Sequence, residues 1–151
     1  MTAVAIDLDG ALADTRPLWS DWLASAAAVL GIDAGALPFD RGEAASELDR
    51  RGAGNWRILL ERFSEDRAPV YLRRDAAVST SLRAFAAAGN VVGVFSDAPE
   101  PLARIALTQL GAAGRVTVLE TGSDALGRLL VRLGADAIVV RSRAELLELD
   151  A

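Results

Sequence analysis

Four short, almost unbroken apolar runs, Ala3–Leu8, Val91–Phe95, Val116–Leu119 and Ala137–Val140, constrain this chain more than any other feature of it. A strand exposed on one side alternates apolar and polar residues, whereas strands covered on both faces read as continuous apolar runs, the pattern of a parallel sheet. Helical stretches separate the later runs: Pro99–Leu110 carries Leu102, Ile105, Ala106 and Leu110 on one side, and Ala125–Leu133 carries Leu126, Leu129, Leu130 and Leu133. Strand and helix in alternation predict an α/β fold, a doubly wound parallel sheet whose ligands gather at the carboxyl ends of the strands. Chemistry is therefore expected just after Leu8 and just after Phe95.

The stretch from Arg16 to Arg74 breaks the alternation, because it offers helices and no strand. Leu18, Trp19, Trp22, Leu23, Ala26 and Leu30 form an apolar stripe that Gly31 ends, and Trp56, Leu59, Leu60 and Phe63 form a second. Asp33–Gly42, with its glycine and proline, reads as a connection between them. A chain of 151 residues has room for one α/β core and a small insert. The expected division is a core of residues 1–15 and 75–151 with a helical insert at 16–74. All three tryptophans lie in the insert and read as its packing core. The pairs Arg50–Arg51 and Arg73–Arg74 read as solvated surface.

Three absences narrow the chemistry. The sequence contains no Cys, no His and no Lys, which excludes thiol nucleophiles, imidazole bases, disulfides, Schiff bases and a Walker-type phosphate loop. Catalysis must run on carboxylates, hydroxyls and arginine. A formal charge of −5 spread along the chain predicts no nucleic-acid partner and no anionic membrane surface, leaving a small molecule as the expected partner. No apolar run approaches membrane-spanning length and none resembles a leader, so a cytoplasmic location is expected, as monomer or homodimer.

After the first run comes DLDGALADT, Asp7 to Thr15. Asp7 and Asp9, two residues apart at a strand end, can be aimed around one point while Gly10 lets the backbone turn away, and two clustered carboxylates suit a divalent cation. The segment closely resembles the first motif of the haloacid-dehalogenase-like superfamily, DxDGTLxDT or DxDGTLxDS after an apolar strand, and the helical insert follows where that family often places a cap. The resemblance implies a Rossmannoid core and a phosphatase-type enzyme acting on a small phosphorylated metabolite. It makes Asp7 the nucleophile that becomes an aspartyl-phosphate and Asp9 the general acid and base. It also implies Mg2+, held by the Asp7 carboxylate and the Asp9 carbonyl. An acid two positions after the nucleophile is similar to the family's phosphatases and not to its dehalogenases. The family's second motif is an apolar strand ending in Ser or Thr, and VVGVFSDAPE supplies Ser96, with Asp97 beside it, as phosphate-binding residues.

Two departures from the family pattern stand out. The basic residue of the third motif has Arg128 as its best candidate and Arg132 as the alternative. The last motif normally ends a strand with acids that complete the metal site, but here Val140 runs into Arg141, Ser142 and Arg143, and Glu145 falls out of register. Arginines beside a magnesium site repel the metal, and only Asp97 or Glu145 stands nearby to substitute. The alternative expectation is therefore a catalytically impaired family member with a binding or regulatory role, in which Arg141 or Arg143 takes the space of the metal. A receiver-like phosphotransferase also phosphorylates an aspartate on a doubly wound sheet, but relies on a lysine that this chain lacks.

Overall fold

The computed structural model describes residues 1–149. Four parallel strands, β1 (Ala3–Asp7), β2 (Val91–Ser96), β3 (Val118–Thr121) and β4 (Ile138–Val140), form one sheet in the order β3-β2-β1-β4. The register pairs Asp7 with Phe95 and Ile6 with Val140, so the carboxyl ends of β1, β2 and β4 finish level with one another. From β1 the chain moves outward through β2 to β3 and then crosses to the other side of β1. That reversal falls at the end of β1, the place in the strand order where doubly wound sheets bind ligands.

Both faces of the central strands β1 and β2 are covered, as their apolar runs require, whereas the edge strands are less enclosed, β3 being half-buried throughout and Ile138 of β4 exposed. Val4 and Ile6 of β1 face a core that includes Val78, Leu82 and Phe85 of α4 (Ala76–Ala87), Ala103, Ala106 and Leu107 of α5 (Glu100–Gln109) and Leu146 of α7 (Arg143–Leu147). Ala5 and Phe95 face the other way, onto Ala125 and Leu129 of α6 (Ala125–Leu133). β3 begins two residues later than Val116, because Val116 closes a short turn over Ala113–Arg115 and ladder pairing starts at Val118. Glu120 and Thr121 consequently lie in the strand.

Residues 16–71 fold into α1 (Arg16–Leu30), α2 (Arg41–Arg50) and α3 (Trp56–Tyr71). Their shared core holds Leu18, Trp19, Trp22, Leu48, Trp56 and Leu60, with the ring of Trp22 lying 5.2 Å from that of Trp19 and 6.0 Å from that of Trp56. Ala98, two residues before α5, and Leu102, in its first turn, join the same cluster and seat the insert on the sheet domain. Arg41 and Gly42, read from sequence as part of a connection, instead begin α2. The Asp40 side chain caps that helix by accepting a hydrogen bond from the Glu43 N–H at 2.8 Å. Among the described residues no helix is long and apolar enough to cross a membrane.

Candidate active site

The residues after β1 form a single tight turn, Leu8–Leu12, in which the Gly10 N–H bonds the Ala13 carbonyl at 2.8 Å and the Ala13 N–H bonds the Leu8 carbonyl at 3.0 Å. Gly10 is indispensable there on two grounds. Its φ of +116° disfavours any L side chain, and a Cβ would stand 2.5 Å from the Arg141 carbonyl oxygen. The end of β4 thus packs directly against the turn that carries Asp9. Asp7 closes the turn from below, its Oδ1 accepting a hydrogen bond from the Asp9 N–H at 3.1 Å.

Asp9 is buried and fully engaged. Its Oδ1 accepts hydrogen bonds from the Thr15 N–H (2.8 Å) and the Thr15 hydroxyl (2.6 Å), and its Oδ2 accepts from the Ser96 hydroxyl (2.9 Å) and from Nη2 of Arg41 (2.5 Å). Thr15 precedes α1 without capping it, because its hydroxyl is spent on Asp9. Arg41 is 1% exposed. It donates from Nε and Nη2 to Asp97 Oδ1 (3.0 and 2.8 Å) and from Nη1 to the Thr15 hydroxyl (2.7 Å), while its own N–H reaches Asp97 Oδ2 at 3.1 Å. Asp7, Asp9, Ser96 and Asp97 are thus brought to one end of the sheet, and Arg41 is added to them from the insert.

Sequence reasoning missed Arg41. The available signal was Asp40-Arg41-Gly42-Glu43, a helix-capping pattern that places Arg41 at the first position of a helix and not in a loop. Two further contacts hold this end of α2 to the core. The Ser123 hydroxyl donates to Asp40 Oδ1 at 3.0 Å, and the backbone of Gly42 packs so closely on Ser123 that a Cβ would lie 2.2 Å from the Ser123 nitrogen.

The two carboxylates are shifted in opposite directions. Burial pushes Asp9 up, but the charge of Arg41 and the hydrogen bonds from Thr15 and Ser96 outweigh it and hold the carboxyl below its ordinary value. Burial, followed by the negative charge of Asp9, pushes Asp7 above its ordinary value against the opposing pull of the Asp9 N–H, Arg141 and Arg16.

The remaining candidates go elsewhere. The Arg128 guanidinium donates to the carbonyls of Thr121 and Ser123 and lies 3.6 Å from Glu120, and Arg132 lies 3.7 Å from the same Glu120. Arg143 pairs with Asp75 at 2.5 Å. Glu145 folds back on Ser142, whose hydroxyl donates to it at 3.0 Å. Asp97 and Arg128 both border a cleft of about 660 Å3 between the insert and the sheet domain, whose lining includes Asp49, Arg57 and Arg104 but neither Asp7 nor Asp9.

No family model matches the chain. A curated phosphoglycolate phosphatase from Xylella fastidiosa is 35% identical over 141 residues, an alignment that covers 82% of this chain and 58% of the relative. The chain therefore spans little more than half the length of that relative. Among solved structures, one assigned as a β-phosphoglucomutase from Thermotoga maritima superposes with a TM-score of 0.56 at 18% identity, over 98% of this chain and 81% of that one. A haloacid-dehalogenase-like hydrolase from Streptococcus pneumoniae superposes with a TM-score of 0.57 at 12% identity, over 93% of this chain and 74% of that one. The chain belongs to the haloacid-dehalogenase-like superfamily.

Magnesium, which membership in that superfamily implies, does not fit the side chains of this site. Magnesium is held through oxygen ligands in a near-octahedral shell. Of the two groups that the resemblance implies as ligands, the Asp7 carboxylate has Nη1 of Arg141 3.7 Å from its Oδ2, and the Asp9 carboxylate, with both oxygens taken by Arg41, Thr15 and Ser96, offers no further ligand beside the Asp9 carbonyl. Asp97 is spent on Arg41 and Glu145 on Ser142. Among the described residues no three acidic side chains converge as a metal site.

Proposed function

We propose that this haloacid-dehalogenase-like protein is a phosphohydrolase acting on a small phosphorylated metabolite through an aspartyl-phosphate on Asp7. The observation that carries the reading is the convergence of Asp7, Asp9 and Ser96 at the level ends of β1 and β2. An oxygen of Asp7 attacks phosphorus, the ester P–O bond breaks, and the leaving oxygen takes a proton from Asp9. Asp9 then removes a proton from water, which attacks the same phosphorus and releases phosphate and the free Asp7 carboxylate. The repulsion between an anionic carboxylate and an anionic phosphate has to be offset by positive charge, and the groups near Asp7 able to supply it are Arg141 and Arg16. Magnesium enters this reading through the family resemblance alone.

The acid step has a structural requirement. While Arg41 is docked, Asp9 is held ionised and has no proton to give. Arg41 must therefore withdraw from Asp9 when substrate enters and stay withdrawn while the same carboxylate takes a proton from water, returning once phosphate has left. Phosphate release from a panel of small esters, with phosphoglycolate among them on the strength of the 35% identical relative, tests the reading with and without magnesium. Turnover by the native protein that is lost in Asp7→Asn supports it.

The saturated Arg41–Asp9 pair favours one alternative, a catalytically impaired member with a binding or regulatory role. Equal inactivity of native and Asp7→Asn proteins across the panel, with both folded, selects that alternative.

A further inference from the structure

Each carboxylate at the end of β1 already has a cationic neighbour, and the two arginines arrive from different segments. Arg41 comes from the first turn of α2 and pairs with Oδ2 of Asp9 as well as with Asp97. Arg141 follows β4, with its Nη1 3.7 Å from Asp7 Oδ2 and its guanidinium carbon 5.4 Å from the centre of the Phe95 ring. Its main chain is fixed by the contact of its carbonyl with Gly10, so its side chain starts from a defined point beside Asp7. Arg143, the other arginine after β4, is turned away to Asp75. A dication placed on Asp7 would sit beside the Arg141 guanidinium, and among the described residues no group of three acidic side chains converges to offset the repulsion.

We propose that the Asp7–Asp9 site is independent of divalent cations, with Arg41 held between Asp9 and Asp97 and Arg141 set beside Asp7, and that Arg141 is the residue that bars a metal from Asp7. The inference concerns charge and not turnover, so it stands or falls separately from the phosphohydrolase reading. Its test is calorimetric titration with Mn2+, and melting temperature with and without Mg2+, on the native chain, Asp7→Asn, Arg141→Asp and Arg141→Ser. All three substitutions are at side chains at least partly open to solvent, and circular dichroism checks that each variant is folded.

The native chain is expected to show no stoichiometric Mn2+ binding and no Mg2+-dependent rise in melting temperature. Arg141→Asp removes the repelling charge and supplies an acid beside Asp7. It is expected to gain one Mn2+ site, at least about tenfold tighter than any residual native binding, given what a single change of coordinating environment does to metal affinity. Arg141→Ser removes only the repulsion and should gain less. A native Mn2+ site that disappears in Asp7→Asn overturns the proposal, and so does a folded Arg141→Asp chain that gains no site.

Discussion

Nη2 of Arg41 lies 2.5 Å from Oδ2 of Asp9 with both side chains all but withdrawn from water, at 1% and 2% exposure. Thirty-two positions separate them, and the pair joins the insert to the end of the central strand. A buried pair of this kind contributes little net stability against a well-packed apolar replacement, because desolvating both charges costs about as much as their attraction returns. Breaking one side of it is another matter.

Arg41→Ala leaves Asp9 and Asp97 buried or half-buried without their cation, and is expected to destabilise the fold by about 3–5 kcal/mol. Urea unfolding measures this. Combining Arg41→Met with Asp9→Asn removes both charges and should cost markedly less than the sum of the single changes. Strict additivity would show that the pair is not coupled.

Asp7→Asn and Asp9→Asn are expected to act in opposite directions on stability near neutral pH. The folded value of Asp9 is depressed, so its ionisation adds stability that is present above the unfolded carboxylate range, about pH 4, and lost as pH falls through the depressed value. The folded value of Asp7 is raised, so its ionisation removes stability as pH climbs from the unfolded value through the raised one. Asp7→Asn should accordingly raise the melting temperature at neutral pH and flatten its decline above pH 4. Asp9→Asn should lower the melting temperature. Melting curves between pH 3 and 8, in steps of about half a unit, decide both signs.

Gly10→Ala forces a Cβ to within 2.5 Å of the Arg141 carbonyl at a φ of +116°, and should cost at least about 1–3 kcal/mol. Gly42→Ala meets Ser123 instead, so its effect should be concentrated on the docking of α2. Hydrogen exchange is expected to quicken in residues 41–50 in Gly42→Ala and around residues 8–13 in Gly10→Ala. The reverse assignment would contradict the packing.

Arg128 spends its donors on the carbonyls of Thr121 and Ser123. With the side chain 44% exposed, Arg128→Ala should lower stability by no more than about 1 kcal/mol and leave the affinity for inorganic phosphate unchanged. A loss of phosphate affinity at constant stability would assign the guanidinium to the anion instead.

The sequence alone determined the parts of this protein that are written locally. Unbroken apolar runs specify strands buried on both faces, and the Asp-Leu-Asp-Gly turn after the first of them specifies where two carboxylates must emerge. The two-residue shift of β3, by contrast, was decided by pairing, since Glu120 and Thr121 look like loop until ladder bonds to Phe95 and Ser96 claim them. The charge state of the site was decided only by tertiary structure. Nothing in the pattern around Arg41 indicates that helix α2 will dock on the β3–α6 loop and deliver a guanidinium to Asp9. Of the two arginines after Val140, which one faces Asp7 depends on the register of β4 against β1 and on the backbone contact with Gly10. Periodicity reports which side of an element is apolar, whereas an ion pair depends on where two elements far apart in the chain come to rest against each other.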